Sequence, residues 1–252
     1  MASGEALRLA DLTTTTLAEL VADDRPVVAL VPVGSTEPHG PHLPLATDVL
    51  ISEAACVRAA ARLDARGVVA LIAPAVAYGV TEYAAGFAGA VSVPAPVLTA
   101  YLGAIADGLR AQGLAHVCLV NNHLEPAHDA AVRAAAAGRA GVSVACPLTR
   151  RWARTLSAEF KSGACHAGQY ETAIVLAAAP GLVDEAARAG LPEVPVSLSE
   201  RIGAGVTSFA AMGLDRAYAG APAAATAAHG DDQLGLLADM IATEVLEGLA
   251  RA

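Results

Sequence analysis

Lysine is almost missing from this sequence: Lys161 stands alone among 16 basic residues, against 25 acidic ones. The charge of −9, with no basic run, excludes the electrostatic footprint that nucleic acid demands. Aromatic residues are scarce too, with three Phe, five Tyr and one Trp in 252 residues. The 55% hydrophobic content is therefore mostly Ala, Val and Leu, which favours closely packed helices and argues against disorder. No apolar stretch of about 18 residues runs without a proline or a charge, so no membrane-spanning helix is expected. The four cysteines, Cys56, Cys118, Cys146 and Cys165, form no CxxC pair, which argues against a disulfide framework and a Cys-rich zinc site. The opening Met1-Ala2-Ser3-Gly4-Glu5 lacks the basic and then apolar segments of a secretory signal. The expectation is a reduced, cytoplasmic enzyme that engages neither nucleic acid nor membrane.

What is present is an alternation of apolar runs and alanine-rich segments. Strands are expected over 27–33, 68–76, 116–120 and 142–145. Helices are expected over 48–63 (capped by Thr47 or Asp48), 96–112, 126–137, 168–178 and 231–249. Residues 217–228 read as a low-complexity surface loop. This order predicts an α/β fold with a mostly parallel central sheet covered on both faces. No linker rich in Gly, Ser or Pro interrupts the chain, so one domain over 1–252 is expected.

In an open parallel sheet, ligands bind beyond the carboxyl ends of the strands. Two strand ends here carry polar residues. After the first comes Gly34-Ser35-Thr36-Glu37-Pro38-His39-Gly40-Pro41-His42-Leu43-Pro44, leading to Asp48. Its prolines restrict the backbone around the polar groups. The later strand ends in Asn121-Asn122-His123-Leu124-Glu125, a second His/carboxylate pair. Singly, such residues are caps and turn formers. Together, two imidazoles and three carboxylates form a nitrogen/oxygen set suited to Zn²⁺ or Mn²⁺, and large enough for two metals.

The stretch from Pro32 to Asp48 resembles the signature of the creatininase (creatinine amidohydrolase) family, Pro-x-Gly-Ser-x-Glu-x-His-Gly-x-His-Leu-Pro-x-x-x-Asp. Asn121-Asn122-His123-Leu124-Glu125 is similar to the family's Asn-Gly-His-x-Glu, and His166-Ala167-Gly168-Gln169-Tyr170-Glu171-Thr172 to its His-Ala-Gly-x-x-Glu-Thr. A weaker block is Gly220-Ala221-Pro222-Ala223-Ala224-Ala225-Thr226. The resemblance implies an α/β/α layered fold and two divalent ions, Zn²⁺ and/or Mn²⁺. Glu37, His39, Asp48, His123 and Glu125 would be ligands, with Asp48 bridging. His166 would move protons, Glu125 would share base duty, and His42 and Glu171 would lie behind the ligands. It also implies a homo-oligomer, a hexamer in many members.

The departures leave the candidate ligands intact and concern the substrate. Asn122 stands where Gly is usual, Cys165 where an acidic residue often precedes the histidine, and Tyr83 where many relatives have His. The expected activity is hydrolysis of a non-peptide carbon–nitrogen bond of a small amide by metal-activated hydroxide. A deformylase or a short-peptide-cleaving enzyme of a cofactor-maturation pathway is the alternative. The His-Gly-Gly-Asn block of those branches is missing, which counts against it. A non-catalytic binding protein on the same fold is a third reading. A sugar-phosphate enzyme would want a basic pocket, for which Arg150-Arg151 with Arg154 is the only cluster.

Overall fold

The computed structural model describes residues 6–251, so the expectation about residues 1–5 lies outside it. In chain order the elements are β1 (Leu7–Arg8), α1 (Thr14–Val21), β2 (Val27–Val33), α2 (Thr47–Asp64), β3 (Val69–Ile72), α3 (Ala95–Ala111), β4 (His116–Asn121), α4 (Pro126–Ala136), β5 (Val142–Ala145), α5 (Arg150–Ala153), α6 (Ala158–Ser162), α7 (Gln169–Ala178), α8 (Glu185–Ala189), α9 (Leu198–Gly203) and α10 (Ala227–Leu249). The five strands form one parallel sheet in the order β1-β3-β2-β4-β5. No helix among the described residues is long and apolar enough to cross a membrane.

The core follows from strand alternation. Val28 and Leu30 of β2 join Cys118 and Val120 of β4 on the face covered by α2, α7 and α10. Val27, Ala29, Val31 and Val33 join Val117 and Leu119 on the other face, with Leu98 and Leu102 of α3 and Val132 of α4. Side chains at successive strand positions point to opposite faces, so a strand that is apolar at every position is buried on both. Small residues bring the helices close. A Cβ at Gly230 of α10 would collide with the backbone at Ala173 of α7.

The sheet also positions the site. From β2 the chain crosses to β3 on one side and then returns to β4 on the other. The carboxyl ends of β2 and β4 therefore lie side by side, with Val33 opposite Asn121, at the switch point of the topology.

Several expected boundaries change. The β3 strand stops at Ile72, short of Val76. Pro74 has no N–H to donate, and Val76 rejoins the sheet only through a bridge to Val33. Ala46, not Thr47 or Asp48, is the N-cap of α2; Asp48 lies in its first turn and turns inward. Residues 217–228 are not a surface loop. Ala217, Tyr218, Ala219, Pro222 and Ala225 are buried, and Ala217 and Ala219 pack with Phe209, Met212 and Leu214 in a third apolar cluster. The terminal helix starts at Ala227, capped by the Thr226 hydroxyl accepting from the His229 N–H.

Candidate metal centre

Close approach of α2 to the sheet brings distant residues together. A Cβ at Gly34 would lie 2.8 Å from the Asp48 Cβ, so glycine admits the first turn of α2 against the end of β2. The Ser35 N–H then donates to Asp48 Oδ2 (3.3 Å). Ser52, one turn along, donates to the Val33 carbonyl, and the Asn122 amide donates to Ser52 Oγ (3.0 Å). Asn122 thus stitches α2 to the end of β4, which accounts for an amide where a glycine is usual. The third block is aimed by a left-handed residue, Ala167 (φ +49), directly after His166.

Each of three buried histidines is tethered through one nitrogen to a backbone carbonyl, which can only accept. His39 Nδ1 donates to the Glu37 carbonyl (3.1 Å), His123 Nε2 to Val80 (2.7 Å) and His166 Nε2 to Pro38 (3.0 Å). These bonds fix the tautomers and turn the other nitrogen of each ring toward carboxylates. His39 Nε2 lies 3.1 Å from Asp48 Oδ1 and 3.6 Å from Glu171 Oε2. His123 Nδ1 lies 3.1 Å from Asp48 Oδ2 and 3.2 Å from Glu37 Oε1. His166 Nδ1 lies 3.8 Å from Glu37 Oε1.

Two ligand triads result, Glu37–Asp48–His123 and His39–Asp48–Glu171. They share Asp48, which gives one oxygen to each. A third grouping, Glu37–His39–His166, overlaps both.

The electrostatics call for a cation here. Burial works to lower His39, but Asp48, Glu171 and Glu37 outweigh it and raise the imidazole to about 10. His123 is raised in the same way by Glu37 and Asp48. Burial drives Glu171 up to about 8. Despite its proximity to carboxylates, His39 Nε2 has no hydrogen-bond partner. Three carboxylates without a lysine or arginine among them, and imidazole lone pairs aimed inward by their tethers, fit divalent metal ions.

The sequence model of the creatininase family, described as creatinine amidohydrolase, matches residues 10–245. The chain belongs to the creatininase family. A relative named mycofactocin precursor peptide peptidase, from Mycobacterium tuberculosis, is 36% identical over 211 residues, covering 80% of this chain and 77% of the relative. Creatinine amidohydrolase of Pseudomonas putida is 33% identical over 103 residues, 39% of this chain and 38% of that protein. The solved structure titled "Creatininase Mn" aligns over 97% of this chain and 99% of its own with a TM-score of 0.72 at 23% identity. The fold is thus that of the creatininases, a parallel sheet between helices.

Within this creatininase-family frame, Glu37, His39, Asp48 and His123 come together as expected. Glu171, expected behind the ligands, enters a triad directly. Its Oε2 also accepts from the Ala167 N–H (2.6 Å). Glu125 enters none of the triads. Its two oxygens accept from the N–H groups of Glu82 and Tyr83 (3.0 and 3.2 Å), and burial raises its carboxyl. His166 touches the edge of the cluster. Burial and then the neighbouring His39 lower it to about 4. His42 stays back, hydrogen-bonded to Thr172 Oγ1 (2.8 Å) beside Glu171.

Other contributors escape the sequence reading. Thr81 Oγ1 donates to Glu37 Oε2. His128, on the first turn of α4, is buried. Its Nδ1 accepts from the Val80 N–H (3.2 Å), and its ring packs edge-on against His123. One residue, Val80, thereby holds both imidazoles, and a backbone clamp leaves no mark in a motif. Phe209 lies against His166 with ring centroids 4.4 Å apart, from about 40 residues away in sequence.

A cavity of about 730 Å³ opens over Glu37, His123, His166 and Glu171. Its aromatic wall is Tyr83, Phe160 and Phe209. Trp152 does not line it. The indole N–H donates to Glu244 Oε1 (2.8 Å), away from the opening.

Proposed function

We propose that this chain is a metal-dependent amidohydrolase that uses two divalent cations, Zn²⁺ or Mn²⁺, to cleave an amide bond in a short peptide-like substrate. The observation that carries the metal count is Asp48, with one oxygen directed to each triad. Glu37 and His123 would hold one cation, His39 and Glu171 the other, and Asp48 both. When bound, the cations would polarise the amide carbonyl and lower the pKa of water enough to supply hydroxide near neutral pH.

The chain's own residues do the rest. Glu125 stands on the cavity wall with its carboxyl raised and its oxygens held by two N–H groups, suited to exchanging protons with water and the leaving nitrogen. His166 is neutral at pH 7 and tethered through Nε2, so Nδ1 can take up a proton and return it. Phe209 lies against the His166 ring and shields that exchange from bulk water.

Peptide-like size is supported by the cavity, which is large for a single small ring. The relative named a peptide peptidase, 36% identical over most of the chain, supports the same choice. It favours the second of the two amide readings drawn from the sequence.

Elemental mass spectrometry on protein purified without chelator should find two Zn or Mn per chain. One metal would remove the second triad from the scheme, and none after adding back metal would remove both. A panel of short peptides and cyclic amides should show turnover of peptides. Turnover of creatinine alone would restore the non-peptide reading.

A further inference from the structure

The cavity has a charge pattern that hydrolysis alone does not use. Its floor is acidic, with Glu37, Glu125 and Glu171. Its rim is basic, with Arg150, Arg154 and Lys161. These three are exposed, and among the described residues none has a carboxylate partner or a side-chain hydrogen bond. Elsewhere Arg58 pairs with Asp231, Arg62 with Asp239, Arg139 with Asp107 and Arg188 with Glu185, while Arg66, Arg201 and Arg216 are exposed and, like the rim cations, unpaired among the described residues but do not line the cavity. Arg133, also on the cavity wall, is taken by Asp129 (2.8 Å). A chain of charge −9 leaves three free cations around one opening, including its one lysine.

The local fold sorts them. Arg150 and Arg154 are four apart across the short helix α5, which puts them on one side, with Ala153, against the cavity. Arg151 and Trp152 point the other way. Arg151 pairs with Glu247 (2.8 Å) and lies over the Trp152 ring, which is fixed to Glu244. Lys161 comes from α6 on the same wall.

We propose that Arg150, Arg154 and Lys161 bind a carboxylate of the substrate, set apart from the amide that is cleaved. The inference rests on the amide-hydrolase reading and narrows it to anionic peptides. Guanidinium groups match carboxylates with paired donors. In the metal-loaded enzyme the floor takes the amide carbonyl, and the basic rim gives the carboxylate a separate seat, so the peptide lies with its carboxylate outward and its amide inward.

Calorimetric binding of N-acetyl-dialanine and its C-terminal amide to the metal-loaded enzyme tests this. The free acid should bind about tenfold tighter, the scale of one charge-assisted contact, and the gain should shrink as salt is raised. N-acetyl-Ala-Asp-amide separates the two sources of the group. A gain for that peptide assigns the site to an acidic side chain, and a gain for the free acid alone assigns it to the chain terminus. The double variant Arg150→Gln/Arg154→Gln should erase the preference while leaving metal content unchanged, and Lys161→Met should weaken it. Equal binding of acid and amides, or no binding of any of them, overturns the proposal. So does a preference that survives the arginine changes. Hydrolysis without carboxylate preference sinks this inference alone, whereas carboxylate preference without hydrolysis of any peptide sinks the hydrolase reading alone.

Discussion

The floor and the rim of the cavity are built in opposite ways. The floor is a buried knot of imidazoles and carboxylates hung on the ends of two central strands, each ring fixed by a carbonyl. The rim comes from short helices and loops after β5, with exposed cations free of partners. The difference suggests a division of labour: a preorganised floor suits chemistry that must not vary, and an exposed, unpaired rim suits selection among substrates.

The strongest way to break this contrast is Asp48→Ala. If the floor is one unit joined by that carboxylate, elemental analysis should find both metal equivalents gone and turnover with them. Retention of one metal would show two independent sites. Next in size is the pair Glu171→Gln and Glu125→Gln. The first should lose one metal equivalent. The second should keep both metals and lose about 10²–10⁴-fold in kcat, the range of a proton-transfer residue. Equal metal loss in the two would return Glu125 to the ligand set.

A smaller effect concerns stability without metal. Glu171 at about 8 and His39 at about 10 bind protons more tightly folded than at their ordinary values of 4.5 and 6.5. Their stabilisation is complete below those ordinary values. It is lost as pH rises, from 4.5 to about 8 for Glu171 and from 6.5 to about 10 for His39. Melting curves of chelator-treated protein should therefore fall between pH 6.5 and 8.5, and metal should flatten the slope. A rising curve would mean the floor is not arranged as described. Smallest of all, Trp152→Phe should cost about 1 kcal/mol or less through the lost bond to Glu244 and leave kcat/KM unchanged. A large loss in kcat/KM would bring the indole into the site.

The floor was largely legible because its parts sit in compact motifs. Glu37, His39 and Asp48 follow one strand, and His123 another. Spacing along the chain does not say which carboxylates meet. Glu125, two residues from His123, turns to the N–H groups of Glu82 and Tyr83 instead. Glu171, 132 residues after His39, reaches it because α7 packs against α2 and α10. The parallel sheet was readable from apolar runs and turn residues. The short helices α5, α6, α8 and α9 were not, since each is about one turn long and too brief to show a period. The alanine-rich stretch over 217–228 looked superficial because small residues carry little hydrophobic signal, yet they fit where Phe209 and Met212 leave narrow space.

The anchors of the three histidines are main-chain oxygens at Glu37, Pro38 and Val80. Every residue type supplies that oxygen, so no single substitution at these positions deletes it. The imidazoles are held by something inherited with the path of the chain, and the side chain at Val80, which takes no part in the cluster, is free to diverge while their aim persists.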